Sequence, residues 1–350
     1  MNRDSKQISR AKFIAFAVLT VAIVLVGVSL SLLGADLYVH RKFEKSAGLN
    51  IWGYRGPVLG RKQPNEIRVA VIGGSTALGY GLPWTDAFPH RLEVALNASE
   101  GGRGRRFVVV NFGYNNNGAY SFRYTLEDYE YLSYDVVCFY EGYNDLNPSA
   151  NVRVSRRDSG IFRLTGYYPL LPTVAIEKAM QLRHNGDLRA AYWGRPVVFQ
   201  PNFADRTKAS VLETSMAILN VIERHADSGE LQKIDMPVES SEGCGKRWGF
   251  YCHSVAVAIA EARQMRKAVL VITQPYVLDV HREQQRALRG MLSARWGADP
   301  WVGYVDLGDA VNLKDETLCW DGMHLTPSGN QKIAEGLVQS VLDVARLVER

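Results

Sequence analysis

The chain has 350 residues, 47% of them hydrophobic, enough to bury a substantial core in one large domain or two small ones. Its formal charge of +5 arises from 41 Lys and Arg scattered among 36 Asp and Glu, so no basic face marks it as a nucleic-acid binder.

The first segment with a physical message is FIAFAVLTVAIVLVGVSLSLLGA, Phe13 to Ala35, which holds no charged residue. At about 1.5 Å per residue it would span roughly 30 Å as a helix, the thickness of a bilayer's hydrocarbon core. A cleavable signal peptide has a shorter apolar region, about 7 to 15 residues, and ends in small residues. Here Leu33 spoils an A-x-A site ending at Ala35. The expected organisation is a tail over 1–12, an uncleaved transmembrane helix over 13–35, a linker over 36–65 and a globular domain over 66–350. Arg3, Lys6, Arg10 and Lys12 before the helix nearly balance Arg41, Lys42 and Lys45 after it. The short basic leader favours a cytoplasmic N-terminus, with the domain periplasmic or extracellular. Four cysteines fit an oxidising compartment. Cys138 lies in an apolar run and reads as core, whereas Cys244 and Cys252 lie in a loop-like stretch and can pair.

Beyond the anchor, short apolar runs alternate with longer helical stretches. The runs are Ile67 to Ile72, Phe107 to Val110, Val136 to Tyr140, Ala268 to Thr273 and Trp301 to Val305, and none alternates strictly between apolar and polar. Strands buried on both faces read this way, and helices between them make an α/β domain on a parallel sheet of about five strands. Between about 147 and 246 the alternation breaks. That interval holds aromatic residues (Tyr167, Tyr168, Tyr192, Trp193, Phe199, Phe203) and a helical stretch from about Thr207 to His225, and is expected to form an insertion or cap near the site. The last helix is the clearest element: Thr326 is placed to cap it, Pro327 to open it, and Ile333, Leu337, Val341 and Ala345 recur on one face.

The first run stops in VAVIGGSTALGYG, Val69 to Gly81. A phosphate-binding P-loop would need a Lys and a Ser or Thr after its last glycine, and a dinucleotide turn would need G-x-G-x-x-G; neither fits. The nucleophile elbow G-x-S-x-G fails too, because Ala77 replaces its last glycine. What remains is Ser75 at a strand's carboxyl end, either as a nucleophile or as a turn cap. The second run ends in NFGYNNNGAYS (Asn111 to Ser121) and the third in EGYNDL (Glu141 to Leu146). In an open parallel sheet these strand ends converge on one crevice, where Asn144 offers a neutral NH₂ donor for a developing oxyanion. Near the C-terminus, WDGMHLTPSG sets Asp321 three residues before His324, close enough for the carboxylate to fix the ring tautomer.

In this order the segments resemble the four blocks of the SGNH (GDSL-type) hydrolase superfamily, over roughly residues 66 to 345 apart from the insertion. The resemblance implies a flavodoxin-like three-layer sandwich with strand order 2-1-3-4-5. It makes Ser75 the nucleophile, His324 the base and Asp321 the orienting acid. Asn144, Gly118 and the Ser75 N–H would form the oxyanion hole, with Gly113 as the alternative glycine. Gly74 departs from the family's Gly-Asp-Ser. The implied activity is that of a serine esterase or deacetylase acting on an acylated glycan or lipid. An O-acetyltransferase on an envelope polysaccharide and a catalytically silent binding domain are the alternatives. No cofactor is implied, and the scattered histidines show no metal-ligand spacing.

Overall fold

The computed structural model describes residues 10–43, 48–99, 101, 104–115, 117–146, 154–172, 174–175 and 243–348. The elements in chain order are α1 (Arg10–Phe43), β1 (Glu66–Gly73), α2 (Ser75–Leu78), α3 (Phe88–Ala98), β2 (Arg106–Asn111), α4 (Phe122–Asp128), β3 (Val136–Glu141), α5 (Gly160–Thr165), α6 (Gly249–Gln264), β4 (Ala268–Thr273), α7 (Asp279–Trp296), β5 (Val302–Val305) and α8 (Pro327–Val348). The expected helix near 207–225, most of the insertion with Tyr192, Trp193, Phe199 and Phe203, and nearly all of the N-terminal tail lie outside the described residues.

The five strands form one parallel sheet in the order β2-β1-β3-β4-β5. This is the α/β architecture expected from the sequence pattern, in the strand order that the resemblance implies. β1, β3 and β4 are buried along their whole length, which explains the missing alternation. Val69 and Val71 face one layer, where α3 and α8 supply Phe88, Leu92, Leu96, Ile333, Leu337 and Val341. Ala70 and Ile72 face the other, with Phe122 and Leu126 of α4, Val255 and Ile259 of α6, and Leu288 and Met291 of α7. Each large apolar side chain taken fully from water in this way contributes roughly 1.5–3 kcal/mol. The residues 333, 337, 341 and 345 of α8 are all buried, as the periodicity requires. Thr326 accepts the Gly329 N–H at 3.3 Å and so caps this helix.

Because β1 lies between β2 and β3, the chain leaves β1 first to one side and then to the other. That reversal opens a crevice at the strands' carboxyl ends. α2 follows β1 and the Tyr143–Leu146 turn follows β3, so Ser75 and Asn144 both belong to this rim.

α1 is a single helix whose span Lys12–Phe43 is long and apolar enough to cross a membrane. Its polar end is built into the domain: Asp36, Val39 and His40 are buried. The stretch 36–65, expected as a linker, also contributes the buried Leu49, Tyr54 and Arg55. Cys244 and Cys252 form a disulfide, and Cys138 and Cys319 are free and buried.

Candidate active site

β1 ends at Gly73, and α2 starts with Ser75 as its first residue. A first-turn N–H has no partner within its own helix, so the Ser75 N–H is left for another acceptor. The far end of this one-turn helix is pinned by Arg55, whose guanidinium donates to the carbonyls of Leu78, Gly79 (2.8 Å) and Leu82. A cation on the last carbonyls of a helix is favourably placed. From the second strand, Asn111 donates to Ala77 O at 3.0 Å. The helix carrying Ser75 is thus fixed at its C-terminal carbonyls by two buried side chains.

His324 and Asp321 come from a short loop closed by an antiparallel bridge between Cys319 and Leu325, with the Trp320 N–H donating to His324 O at 3.1 Å. Gly322 lies at φ +83°, the left-handed turn that lets the chain fold Asp321 back on His324. Ser75 Oγ lies 2.9 Å from His324 Nε2, and His324 Nδ1 lies 2.7 Å from Asp321 Oδ2. Burial works against ionisation of Asp321, but hydrogen bonds from the backbone and ring of His324, with the Met323 N–H, hold its carboxyl below the ordinary carboxylate range. An ionised carboxylate can only accept, so Nδ1 carries the proton and Nε2 presents its lone pair to Ser75.

Across the crevice, Asn144 Nδ2 donates to Asn117 O at 2.9 Å. A Cβ built at residue 74 would collide with Asn144 Nδ2, so a larger residue there would displace the Asn144 amide. The two candidate glycines differ in setting. The Gly113 N–H is committed to Asn111 Oδ1 at 2.9 Å, and its Cα faces the backbone of Ala77 and Leu78. Gly118 adjoins Asn117 and opens the Ala119–Ser121 turn.

Several residues that sequence reasoning passed over hold these parts in place. Gln274, just beyond β4, accepts the Tyr143 N–H at 2.7 Å and donates to Thr76 Oγ1, joining the Asn144 turn to the helix that carries Ser75. Asp145 accepts the Ala119 N–H at 3.1 Å through each of its oxygens. Burial pushes Asp145 up to about 7, and Glu141 beneath it to about 8; Glu141 accepts from Tyr251 and Gln285. The signal was present for one of them, since Asp145 stands in the quoted EGYNDL; Gln274 follows a strand with nothing in its neighbourhood to mark it. At the mouth, the Tyr80 ring lies 5.0 Å from that of His324, and both Tyr80 and Trp320 are exposed.

No protein-family model matches the sequence, and no curated protein matches it. Among solved structures, the chain is similar to a G-D-S-L family lipolytic protein described as putative from Desulfitobacterium hafniense DCB-2, at 11% identity and a TM-score of 0.38, covering 78% of this chain and 98% of that one. It is also similar to a family 3 carbohydrate esterase from Clostridium thermocellum, at 14% identity and a TM-score of 0.40, covering 81% and 98%. A third similarity is to an acetyl xylan esterase from the rumen bacterium Butyrivibrio proteoclasticus, at 12% identity and a TM-score of 0.32, covering 82% and 65%.

Proposed function

We propose that this chain is a membrane-anchored serine esterase of the SGNH type, acting on an ester of an acylated glycan or lipid. The observation that carries the reading is the hydrogen-bonded series Ser75, His324, Asp321 at the carboxyl ends of the strands, beside the Asn144 amide. His324 Nε2 takes the Ser75 proton as Oγ attacks the ester carbonyl, and Asp321 stabilises the imidazolium that results. The tetrahedral oxyanion is held by the Asn144 amide with the N–H groups of Ser75 and Gly118. His324 then gives its proton to the departing alcohol oxygen. Water, activated by the same ring, attacks the acyl-Ser75 carbonyl and releases the acid.

In this reading α1 spans the bilayer with its N-terminus in the cytoplasm, and the catalytic domain stands outside it. The Cys244–Cys252 disulfide supports that placement, because such bonds persist in oxidising compartments. The purified full chain in detergent should hydrolyse p-nitrophenyl acetate in water alone. Turnover that appears only when a glycan acceptor is added would make the chain an acetyltransferase instead, and no turnover under either condition would contradict both.

A further inference from the structure

The apolar stretch of α1 and its polar end are treated oppositely by the fold. None of the helix's most apolar window is buried in the domain, and Leu33 is still 43% exposed. Three residues later Asp36 is 4% exposed, and so is His40 one turn further on. Asp36 accepts from the Tyr167 hydroxyl and from the Leu171 N–H, and pairs with His40 at 3.2 Å. The His40 ring lies 3.0 Å from Leu49 O through Nδ1 and 2.9 Å from Tyr168 O through Nε2. These bonds lock the helix to the domain at the residue where its apolar stretch ends. No free spacer separates the two.

The lock lies next to the site. Val39 shares an apolar cluster with Leu49, Leu170 and Leu78, against which Tyr114 and Tyr168 pack. Leu78 is the last residue of α2, and Ser75 is the first. Val39 is about 6 Å along the helix from Ala35. Taking one or two packed elements of about 8–10 Å each between Val39 and Leu78, and about 5 Å along α2, puts the nucleophile within about 30 Å of the end of the apolar stretch. Headgroups extend about 5–8 Å beyond the end of the apolar stretch.

We infer that the ester is carried on a bilayer-embedded molecule, an acylated saccharide attached to a lipid, whose sugar rises just clear of the headgroups into the Ser75 site. The inference rests on the esterase reading and on α1 spanning the bilayer. A rigid, short mount presents the site at one height. It gives a high effective concentration toward esters confined to that layer and none toward esters in bulk solution.

The test uses the full chain reconstituted in phosphatidylcholine vesicles, with octadecyl 6-O-acetylglucoside in the same bilayer and methyl 6-O-acetylglucoside in the surrounding water. An in-phase helical spacer of about five turns inserted between Ala35 and Asp36 keeps the lock intact and lifts the domain by roughly 27 Å. The unmodified chain should turn over the embedded ester at least about tenfold faster than the soluble one, and the spacer should remove that advantage. In both proteins p-nitrophenyl acetate turnover should be equal within about twofold, which reports that the site itself is unharmed. Equal preference with and without the spacer, or no turnover of the embedded ester by a chain active on p-nitrophenyl acetate, overturns the inference and leaves the esterase reading standing. A chain inactive on every ester overturns the esterase reading, and the inference falls with it.

Discussion

Asp321 with His324 and Asp36 with His40 are the same two side chains in two settings. The first pair sits in a loop, three residues apart, at 2.7 Å and with side chains 16% (His324) and 23% (Asp321) exposed. The second sits on a helix, four residues apart, at 3.2 Å and with side chains 5% (His40) and 6% (Asp36) exposed. What separates them is the far side of the ring. His324 Nε2 faces the Ser75 hydroxyl, a group that can give up a proton, whereas the ring nitrogens of His40 face backbone carbonyls that can only accept. A third histidine sharpens the contrast: His281 is fully buried between the rings of Tyr143 and Tyr276, and among the described residues neither of its nitrogens has a hydrogen-bond partner. Desolvation, aided by Arg282, pushes it down to about 4, so it stays a neutral packing group. The two pairs thus differ in their third neighbour, a serine hydroxyl in one and backbone carbonyls in the other.

Breaking the first pair should cost most. Asp321→Asn removes the carboxylate that sets the ring tautomer, so kcat for p-nitrophenyl acetate should fall about 10³- to 10⁴-fold while the melting temperature changes little. A loss under tenfold would take Asp321 out of the relay. Next comes the oxyanion side. Asn144→Ala should lower kcat about 10²- to 10³-fold with KM nearly unchanged, and a merely few-fold loss would reduce Asn144 to a turn residue.

The second pair should respond in the other currency. Asp36→Ala leaves His40 without its carboxylate and the Tyr167 and Leu171 donors without their acceptor. Breaking a buried pair of this kind costs about 3 kcal/mol, seen as a lower unfolding midpoint, whereas kcat should stay within about twofold. Equal damage to turnover would mean that the lock and the site are one unit.

How much of this was legible beforehand follows from the range over which each signal acts. The strand runs and α8 were readable because burial on both sheet faces, or on one helix face, repeats along the sequence. Ser75 and Asn144 stand at strand ends, where an open sheet gathers its chemistry, and Asp321 and His324 stand three residues apart before the last helix, so the segments that the structure brings together could be singled out. Arg55 could not be, although it pins the helix that carries Ser75: a lone cation in a stretch read as a linker has no periodicity to betray its carbonyl partners. Asp36 and His40 fell in the stretch expected as a linker, and their partners Tyr167 and Tyr168 come about 130 residues later, in the stretch expected to form an insertion or cap. Single long-range polar contacts of this sort are set by the folded arrangement, and local sequence does not encode them.

The gentlest expected effect is a slope. Burial holds Glu141 up at about 8, against hydrogen bonds from Tyr251 and Gln285 that favour ionisation. Between its ordinary value of 4.5 and about 8 the folded chain keeps a proton that the unfolded chain has lost. The stabilisation from this group is therefore complete below that window and declines as pH rises through it, and Asp145 acts in the same direction. Glu141→Gln should flatten the decline in melting temperature between pH 5 and pH 8. An unchanged slope would mean that the Glu141 carboxyl ionises freely in the fold.

In the proposed mechanism Ser75 is activated by its contact with His324. Treating the full chain in detergent with a fluorophosphonate probe and locating the adduct by peptide mass spectrometry tests this directly. One adduct is expected, on the peptide that contains Ser75, absent from the Ser75→Ala protein and strongly slowed by His324→Ala. An adduct on a different residue, or a Ser75→Ala protein labelled at the wild-type rate, would contradict it.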